Sequence, residues 1–521
     1  MPSSVDNGIF VSAPGKIILF GEHAVVYGRT AVAGSIDLRT YVSLYTSADG
    51  RIYLSLPDLG VEKTWSLKEL RKAVDALSDE EEDEFSTESS PRRRSAAASA
   101  AASEEGGGGV GGRGVPAVPS LELFVPLARR LSGCCADDAQ GGVQQLAILA
   151  FWYLLLGVAR RDKNLLAVKV TVRFKLPSCV GLGSSGAFCV CLAAALLRVS
   201  GVLPQPTERA ADSDTLLWDD ASMDVIRRWA SAAESIIHGR ASGLDAAICT
   251  YGGVASFKPG TRIHHIRDLS DLHVFLVNSK VERSTARMVA TVKDKRNKFP
   301  SVVNSMFDSI DAISREAIKY LEGTASTVAV DAATESATTT TTTTEQQGAF
   351  NSSNSARSLM ENASASQLNG DANDAFSLQT SPALERHRRP SSGDGDSSKR
   401  GSSSAGSNTH TLLAAGDGEI FTRLNDLCRM NNQLLIALGV GHPKVEQIST
   451  LLSRYGIHPK MTGAGGGGSV FAFLKPDISQ TILTMITDEL TKQGFEVWRP
   501  LLGTSGVQMH KRKPETLAKT H

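Results

Sequence analysis

A chain of 521 residues is long enough for two or more domains around separate cores. Its 55 basic and 55 acidic residues cancel, so no overall field draws it to nucleic acid or to a membrane surface. Seven cysteines, odd in number and without framework spacing, point to reduced thiols in a cytoplasmic protein and away from a disulfide scaffold.

The opening MPSSVDNGIF lacks the basic-then-apolar order of a secretory signal. Ile9 to Ser12 reads as a strand, Ala13-Pro14-Gly15 as a turn, and Ile17 to Phe20 as a second, buried strand. Lys16 then stands at the start of that second strand, a position where a lysine often only snorkels at a sheet edge. Residues 78–119 pass from an acidic run (Asp79 to Glu84) through Arg92, Arg93 and Arg94 into alanine and glycine runs. Residues 324–411 contain seven consecutive threonines (338–344) and then Ser/Asn/Gly-rich sequence. Neither has the apolar content to offset its ordering entropy, so both are expected to be disordered insertions, the arginine triplet being a solvated charge run. The longest apolar run, Leu146 to Ala159, falls short of the roughly 20 residues that cross a bilayer and reads as a buried helix.

Val168, Val170, Val172 and Phe174 alternate with Lys169, Thr171, Arg173 and Lys175. A strand with one wet face belongs to an antiparallel or mixed sheet, not to the apolar parallel sheet of a dinucleotide fold. It runs through Pro177 into Gly181-Leu182-Gly183-Ser184-Ser185-Gly186, and a continuous helical run follows directly. A small-residue turn that opens a helix presents free N–H groups and the positive end of the helix dipole. Glycine lets an anion approach that spot, and the hydroxyls of Ser184 and Ser185 suit phosphate oxygens or Mg²⁺. The string matches GxGxxG on the wrong kind of strand, and neither a GxxxxGK[ST] loop nor HRD and DFG elements occur. Phosphoryl chemistry is the functional reading; a glycine-rich cap without a ligand is the plain one.

Val225, Ile226, Trp229, Ala233, Ile236 and Ile237 recur at helical spacing, with Gly239 where a C-cap belongs. Glu234 and His238, four apart, share a face of that helix, which is compatible with a metal half-site, a salt bridge or neither. Asp245 follows in a loop before an apolar helix and suits either an N-cap or a functional carboxylate. Val277 to Lys295 begins as a strand and becomes a basic helix capped near Ser284 and Thr285. Gly463 to Gly468 precede an apolar strand, Ser469 to Phe473, and read as a turn packed against the phosphate loop of the other domain.

Three segments in this order, SAPGKIILFGEHAVVYG (12–28), GLGSS (181–185) and KMTGAGGGGSVFAF (460–473), resemble the signature segments of the GHMP small-molecule kinases. GEHAVVYG at 21–28 and IHGRASGLD at 237–245 are most similar to the branch of that family that phosphorylates mevalonate. The resemblance covers nearly the whole chain outside the two insertions. It implies an α+β, two-domain GHMP fold. Its N-terminal mixed-sheet domain with the phosphate loop would span 1–265 and its ferredoxin-like C-terminal domain 266–500. A final strand within 501–521 would return to the first domain, and the active site would lie in the cleft.

The same resemblance implies ATP as co-substrate, Mg²⁺ as cofactor and transfer to the primary hydroxyl of mevalonate. Asp245 and Lys16 would be catalytic. ATP would be held by Val180, Gly181, Leu182, Gly183, Ser184, Ser185 and Gly186, together with Gly465 and Gly466. Ser185 and Glu234 would hold Mg²⁺. Lys16, Glu22, His23, Asp245, Arg283 and Thr285 would border mevalonate. A homodimer and feedback inhibition by isoprenoid diphosphates are also implied, and the residues themselves show neither. The chain departs from the family's PxGxGLGSSAA at Cys179, Val180 and Gly186, and has Ser469 where a cysteine is frequent, with GLGSS intact.

Overall fold

The computed structural model describes residues 8–75, 116–133, 142–161, 167–176, 180–208, 214–239, 242–266, 272–336 and 409–518, with side chains except at 323–336, 409–417 and 518. Both expected insertions lie largely outside the described residues; what is seen of them is the approach 116–119 and the helical stretches 324–336 and 409–411.

In chain order the elements are β1 (Ile9–Phe20), β2 (Ala31–Ser47), β3 (Arg51–Leu56), β4 (Val61–Ser66), α1 (67–75), α2 (Leu121–Ser132), α3 (Val143–Arg161), β5 (Ala167–Phe174), α4 (Ser184–Val199), β6 (Thr207–Glu208), β7 (Thr215–Leu217), α5 (Asp220–His238), α6 (Leu244–Tyr251), β8 (Val254–Phe257) and β9 (His264–Ile266). There follow β10 (Val274–Asn278), α7 (Thr285–Lys298), α8 (Pro300–Ser336), α9 (Thr409–Ala437), α10 (Pro443–Ser453), β11 (Lys460–Met461), β12 (Ser469–Phe473), α11 (Gln480–Lys492), β13 (Glu496–Trp498) and β14 (Gln508–His510).

The larger sheet has the order β4-β3-β5-β2-β1-β14-β7-β6, with β8 also on β2 and β9 on β8. Strand β5 is antiparallel to β2 and parallel to β3. Val168, Val170 and Val172 point into the core while Lys169 is exposed. A mixed sheet is what that one-sided alternation called for. Residues 9–20 differ from the sequence reading. No turn separates two strands there, and β1 is continuous through Ala13-Pro14-Gly15. The pairing with β2 slips between Pro14 and Gly15, giving a bulge that absorbs the missing N–H of the proline.

Helix α3 is apolar around its whole circumference and is buried from Ala147 to Ala159, including Trp152 and Tyr153. At 19 residues it has the length and composition to cross a membrane, which the shorter apolar run had not suggested, yet 72% of its most apolar window is buried in this fold. With α4, α5 and the inner face of the sheet it forms the larger core. The second sheet, β11-β12-β10-β13, is antiparallel, and Phe275, Phe307, Leu435, Ile448 and Ile486 join it to helices α8 to α11 in a core of its own.

After this second sheet the chain returns, and β14 pairs with β1 at Phe10↔His510. Buried Arg39 holds the returning segment, donating from Nε to Ser12 Oγ (2.9 Å), from Nη1 to Ser505 O (2.9 Å) and from Nη2 to Gly506 O (2.6 Å). His510 Nε2 lies 2.8 Å from the same Ser12 hydroxyl. Burial, reinforced by the neighbouring Arg39 charge, pushes its pKa down from 6.5 to about 4. Between those two pH values the unfolded chain binds a proton that the folded chain refuses, so stability should decline as pH falls through the window, by up to about 3 kcal/mol. Urea melts at pH 7, 5.5 and 4.5 check this: His510→Gln should flatten the acid side of the profile, and an unchanged slope would show that another group sets it.

Candidate active site

Residues from both domains converge on one cavity of about 560 Å³. Its floor is the turn between β5 and α4. Gly181 (φ +86°) and Gly183 (φ +72°) both take left-handed conformations, and Gly183 is the N-cap of α4 with no side chain capping the helix. The first amides of α4 therefore have neither an intrahelical nor a capping partner. The turn is pressed onto β1, where Lys16 N donates to Leu182 O at 2.8 Å. A Cβ on Gly183 would stand 2.7 Å from Lys16 Cγ, and one on Gly181 would stand 2.0 Å from Arg283 Nη2. Backbone conformation favours glycine at both positions, and at Gly183 the stem and backbone of Lys16 also leave no room for a side chain.

Lys16, nearly buried, meets Asp245 across the cavity with Nζ to Oδ1 at 3.0 Å. Asp245 is not the N-cap that one sequence reading allowed. That place belongs to Gly243, and Asp245 lies in the first turn of α6, where the helix dipole favours a carboxylate. Behind this pair stands α5, started by Asp219, which accepts from Ser222 N at 2.7 Å. Glu234 and His238 on its inner face both reach Ser185: Oγ lies 3.4 Å from Glu234 Oε1 and 2.9 Å from His238 Nε2. Glu234 is 2% exposed, and its second oxygen has no hydrogen-bond partner. Burial, then the Asp245 charge, push its carboxyl up to about 8 against the opposing pull of Lys16. Burial also holds His238 below its ordinary value.

The far wall comes from the second domain. Arg283 donates from Nη1 to Thr462 O at 3.1 Å, and Ser284 caps α7 by accepting from Arg287 N. The arrangement joins an anion-ready helix start, a lysine–carboxylate pair and a buried, under-neutralised carboxyl in one cleft.

Known proteins are similar to this chain in sequence and in fold. The models for the GHMP kinases N terminal domain and the GHMP kinases C terminal match residues 148–253 and 411–490; the first range carries the floor and the second carries Thr462, Gly463 and Ala464 of the far wall. Human (Homo sapiens) mevalonate kinase is 30% identical over 503 residues, 96% of this chain and 95% of that protein. The chain belongs to the mevalonate kinase family. The Mus musculus mevalonate kinase is 28% identical over 506 residues, covering 97% of this chain and 96% of its own. The solved mevalonate kinase of Methanococcus jannaschii has the same fold, with a TM-score of 0.54 over 96% of this chain and 100% of that one at 17% identity.

Of the residues that the family resemblance suggested, Lys16, Gly181, Gly183, Ser184, Ser185, Glu234, Asp245, Arg283 and Thr285 line the cavity. Val180, Leu182 and Gly186 are buried in the packing around it. Gly465 and Gly466 stand elsewhere, packed on Val440 and Met288, while their neighbours Gly463 and Ala464 reach the cavity. Glu22 and His23 do not line it either. Glu22 pairs with Lys460 out of solvent, and His23 Nε2 lies 2.9 Å from Ala464 O. For His238 the sequence left open a metal half-site with Glu234, a salt bridge or neither, and did not foresee its contact with Ser185. The apolar wall of Val143, Ala147, Phe174 and Phe188 carried no signal, since those residue types read as core.

Gly183→Ala tests the close approach to Lys16. Turnover should fall about 10²-fold, because displacement of a reacting group by about 1 Å costs that much. Gly201→Ala, also at positive φ but with nothing within 4 Å, should cost only stability, read by thermal melting.

Proposed function

We propose that this chain transfers the γ-phosphoryl group of ATP to the primary hydroxyl of mevalonate, giving 5-phosphomevalonate and ADP on the route to isoprenoids and sterols. The observation that carries the reading is the Lys16–Asp245 pair, 3.0 Å apart beside the open N-terminus of α4. The loop amides and the helix dipole favour the β- and γ-phosphates. The Asp245 carboxylate accepts the proton of the attacking hydroxyl, the new O–P bond forms as the bond to ADP breaks, and the Lys16 ammonium offsets the charge on the nucleophile. Because such transition states are loose, orientation of the hydroxyl by Asp245 matters more than early proton removal. The Arg283 guanidinium faces the same space and suits the carboxylate of the acceptor.

Ser185 and Glu234 fit Mg²⁺. A buried carboxyl with one unpartnered oxygen, pushed up to about 8, is short of positive charge. One carboxylate and one hydroxyl, completed by phosphates and water, suit this ion. Among the described residues no group of three or more His, Cys, Asp or Glu offers a cage made of protein alone. When bound, the ion supplies neutralisation of phosphate charge. His238, neutral when its pKa is held low, can accept the Ser185 hydroxyl proton at Nε2 and leave the hydroxyl lone pairs for the cation. A homodimer, feedback inhibition by isoprenoid diphosphates and a cytoplasmic setting belong to the same proposal and rest on resemblance and composition.

A coupled ADP-release assay over mevalonate, phosphomevalonate and galactose tests the reading: turnover is expected with mevalonate alone, and turnover with another acceptor only, or with none, overturns it. Asp245→Asn should lower kcat about 10²- to 10⁴-fold with nucleotide affinity retained; undiminished kcat removes Asp245 from the mechanism. Glu234→Gln should raise the Mg²⁺ concentration for half-maximal rate at least about tenfold, matching the loss of one charged ligand. Direct Mn²⁺ binding in the presence of a nonhydrolysable nucleotide should weaken in parallel.

A further inference from the structure

We propose that Lys460 and Glu22 are positioning residues, whose buried ion pair registers the segment 460–464 of the second domain against the end of β1 and thereby sets the Arg283 wall opposite Lys16. The inference deepens the proposed phosphoryl transfer and rests on it. Lys460 opens β11, the edge strand of the second sheet. Its ammonium donates to Glu22 Oε1 and, at 2.7 Å, to Met461 O, and it lies over the rings of Phe471 (5.5 Å) and Phe20 (5.9 Å). The side chains are 0% and 1% exposed.

Alternate residues of the segment make the same crossing. Thr462 Oγ1 accepts from Ile18 N at 2.9 Å and donates to Ile18 O at 3.1 Å, and Ala464 O lies 2.9 Å from His23 Nε2. Lys460, Thr462 and Ala464 thus fasten to Glu22, Ile18 and His23. Strand β1 carries Lys16 just ahead of Ile18, while Thr462 O holds Arg283 and Gly463 and Ala464 line the cavity. A shift of this seam moves the reacting cation relative to the guanidinium.

Charge is an odd choice for mere adhesion here. A buried ion pair is replaced by apolar residues at little cost in stability, whereas its directionality fixes one alignment. Glu22 Oε2 has no hydrogen-bond partner and Glu22 does not line the cavity, so its influence on substrate passes through Lys460.

The test is steady-state kinetics and thermal melting on the full chain carrying Glu22→Gln, Lys460→Met, the apolar double variant Glu22→Leu with Lys460→Met, and Thr462→Val. Each single change at the pair strands a buried polar or charged group and should lower the melting temperature; the double variant removes that defect and should melt close to wild type. Its kcat should nevertheless fall at least about tenfold, with KM for both substrates changing less than about threefold, as expected of misplaced groups. Thr462→Val keeps the shape and loses only the Ile18 bonds, so it serves if the pair variants fail to fold, and the same kcat-dominated loss is expected. A stable double variant with wild-type kcat, or Thr462→Val with wild-type kcat, would make the seam structural and overturn the proposal. A selective rise in KM for mevalonate in Glu22→Gln, additive with Lys460→Met, would make Glu22 a substrate contact and also overturn it. Failure of the underlying reading looks different: the wild-type chain itself then does not turn over mevalonate.

Discussion

Close approach of the 181–186 turn to β1 and α6 is the constraint on which the site depends. Leu182 O accepts from the backbone of Lys16, Gly183 leaves no room for a side chain against the lysine stem, and Gly186 faces the backbone and Cβ of Asp245 at 3.1–3.4 Å from where its own Cβ would be. The bulge at Pro14/Gly15 is part of the same packing, since a Cβ on Gly15 would stand 2.8 Å from Leu182 O. Three elements far apart in sequence therefore share one small volume, and the cation, the carboxylate and the open helix start have a fixed mutual geometry. That rigidity comes from a large core: α3 and α4 lie almost wholly out of water behind the loop.

Electrostatics give this geometry a direction. Lys16 faces Asp245, while Glu234 sits close by, buried and only partly compensated. Two carboxyl groups around one ammonium leave the inner end of the cleft deficient in positive charge. In the proposed reaction a cation entering with a polyphosphate would remove the deficit, and the helix N-terminus would meet the polyphosphate on its other side. The second domain contributes through Arg283 and the 460–464 seam, so the two cores are coupled where reaction geometry is decided.

Much of this was legible in the sequence because glycine and periodicity carry unambiguous physical meaning. The wet-faced strand 167–174, the helix after Gly183, the amphipathic α5 with Glu234 and His238 on one face and the capped α7 all stand where residue spacing placed them. The turn expected at Ala13-Pro14-Gly15 did not form, because the proline's missing donor is accommodated equally well by a bulge when a long partner strand continues past it. Asp245 was ambiguous between cap and site, since only the tertiary position of Lys16 separates the two. Partners such as Glu22–Lys460 lie 438 residues apart, and no local pattern could have joined them. Which members of the 463–468 run face the cavity was not legible, because every glycine there takes positive φ and only packing puts Gly463 at the cavity and Gly465 and Gly466 against Val440 and Met288.

The most direct measurement is a crystal structure of the chain with mevalonate and a nonhydrolysable ATP analogue. Phosphate oxygens are expected against the amides and hydroxyls of residues 181–185, with the primary hydroxyl of mevalonate between Lys16 Nζ and Asp245. A triphosphate bound in another cavity, with those amides left facing water, would contradict it.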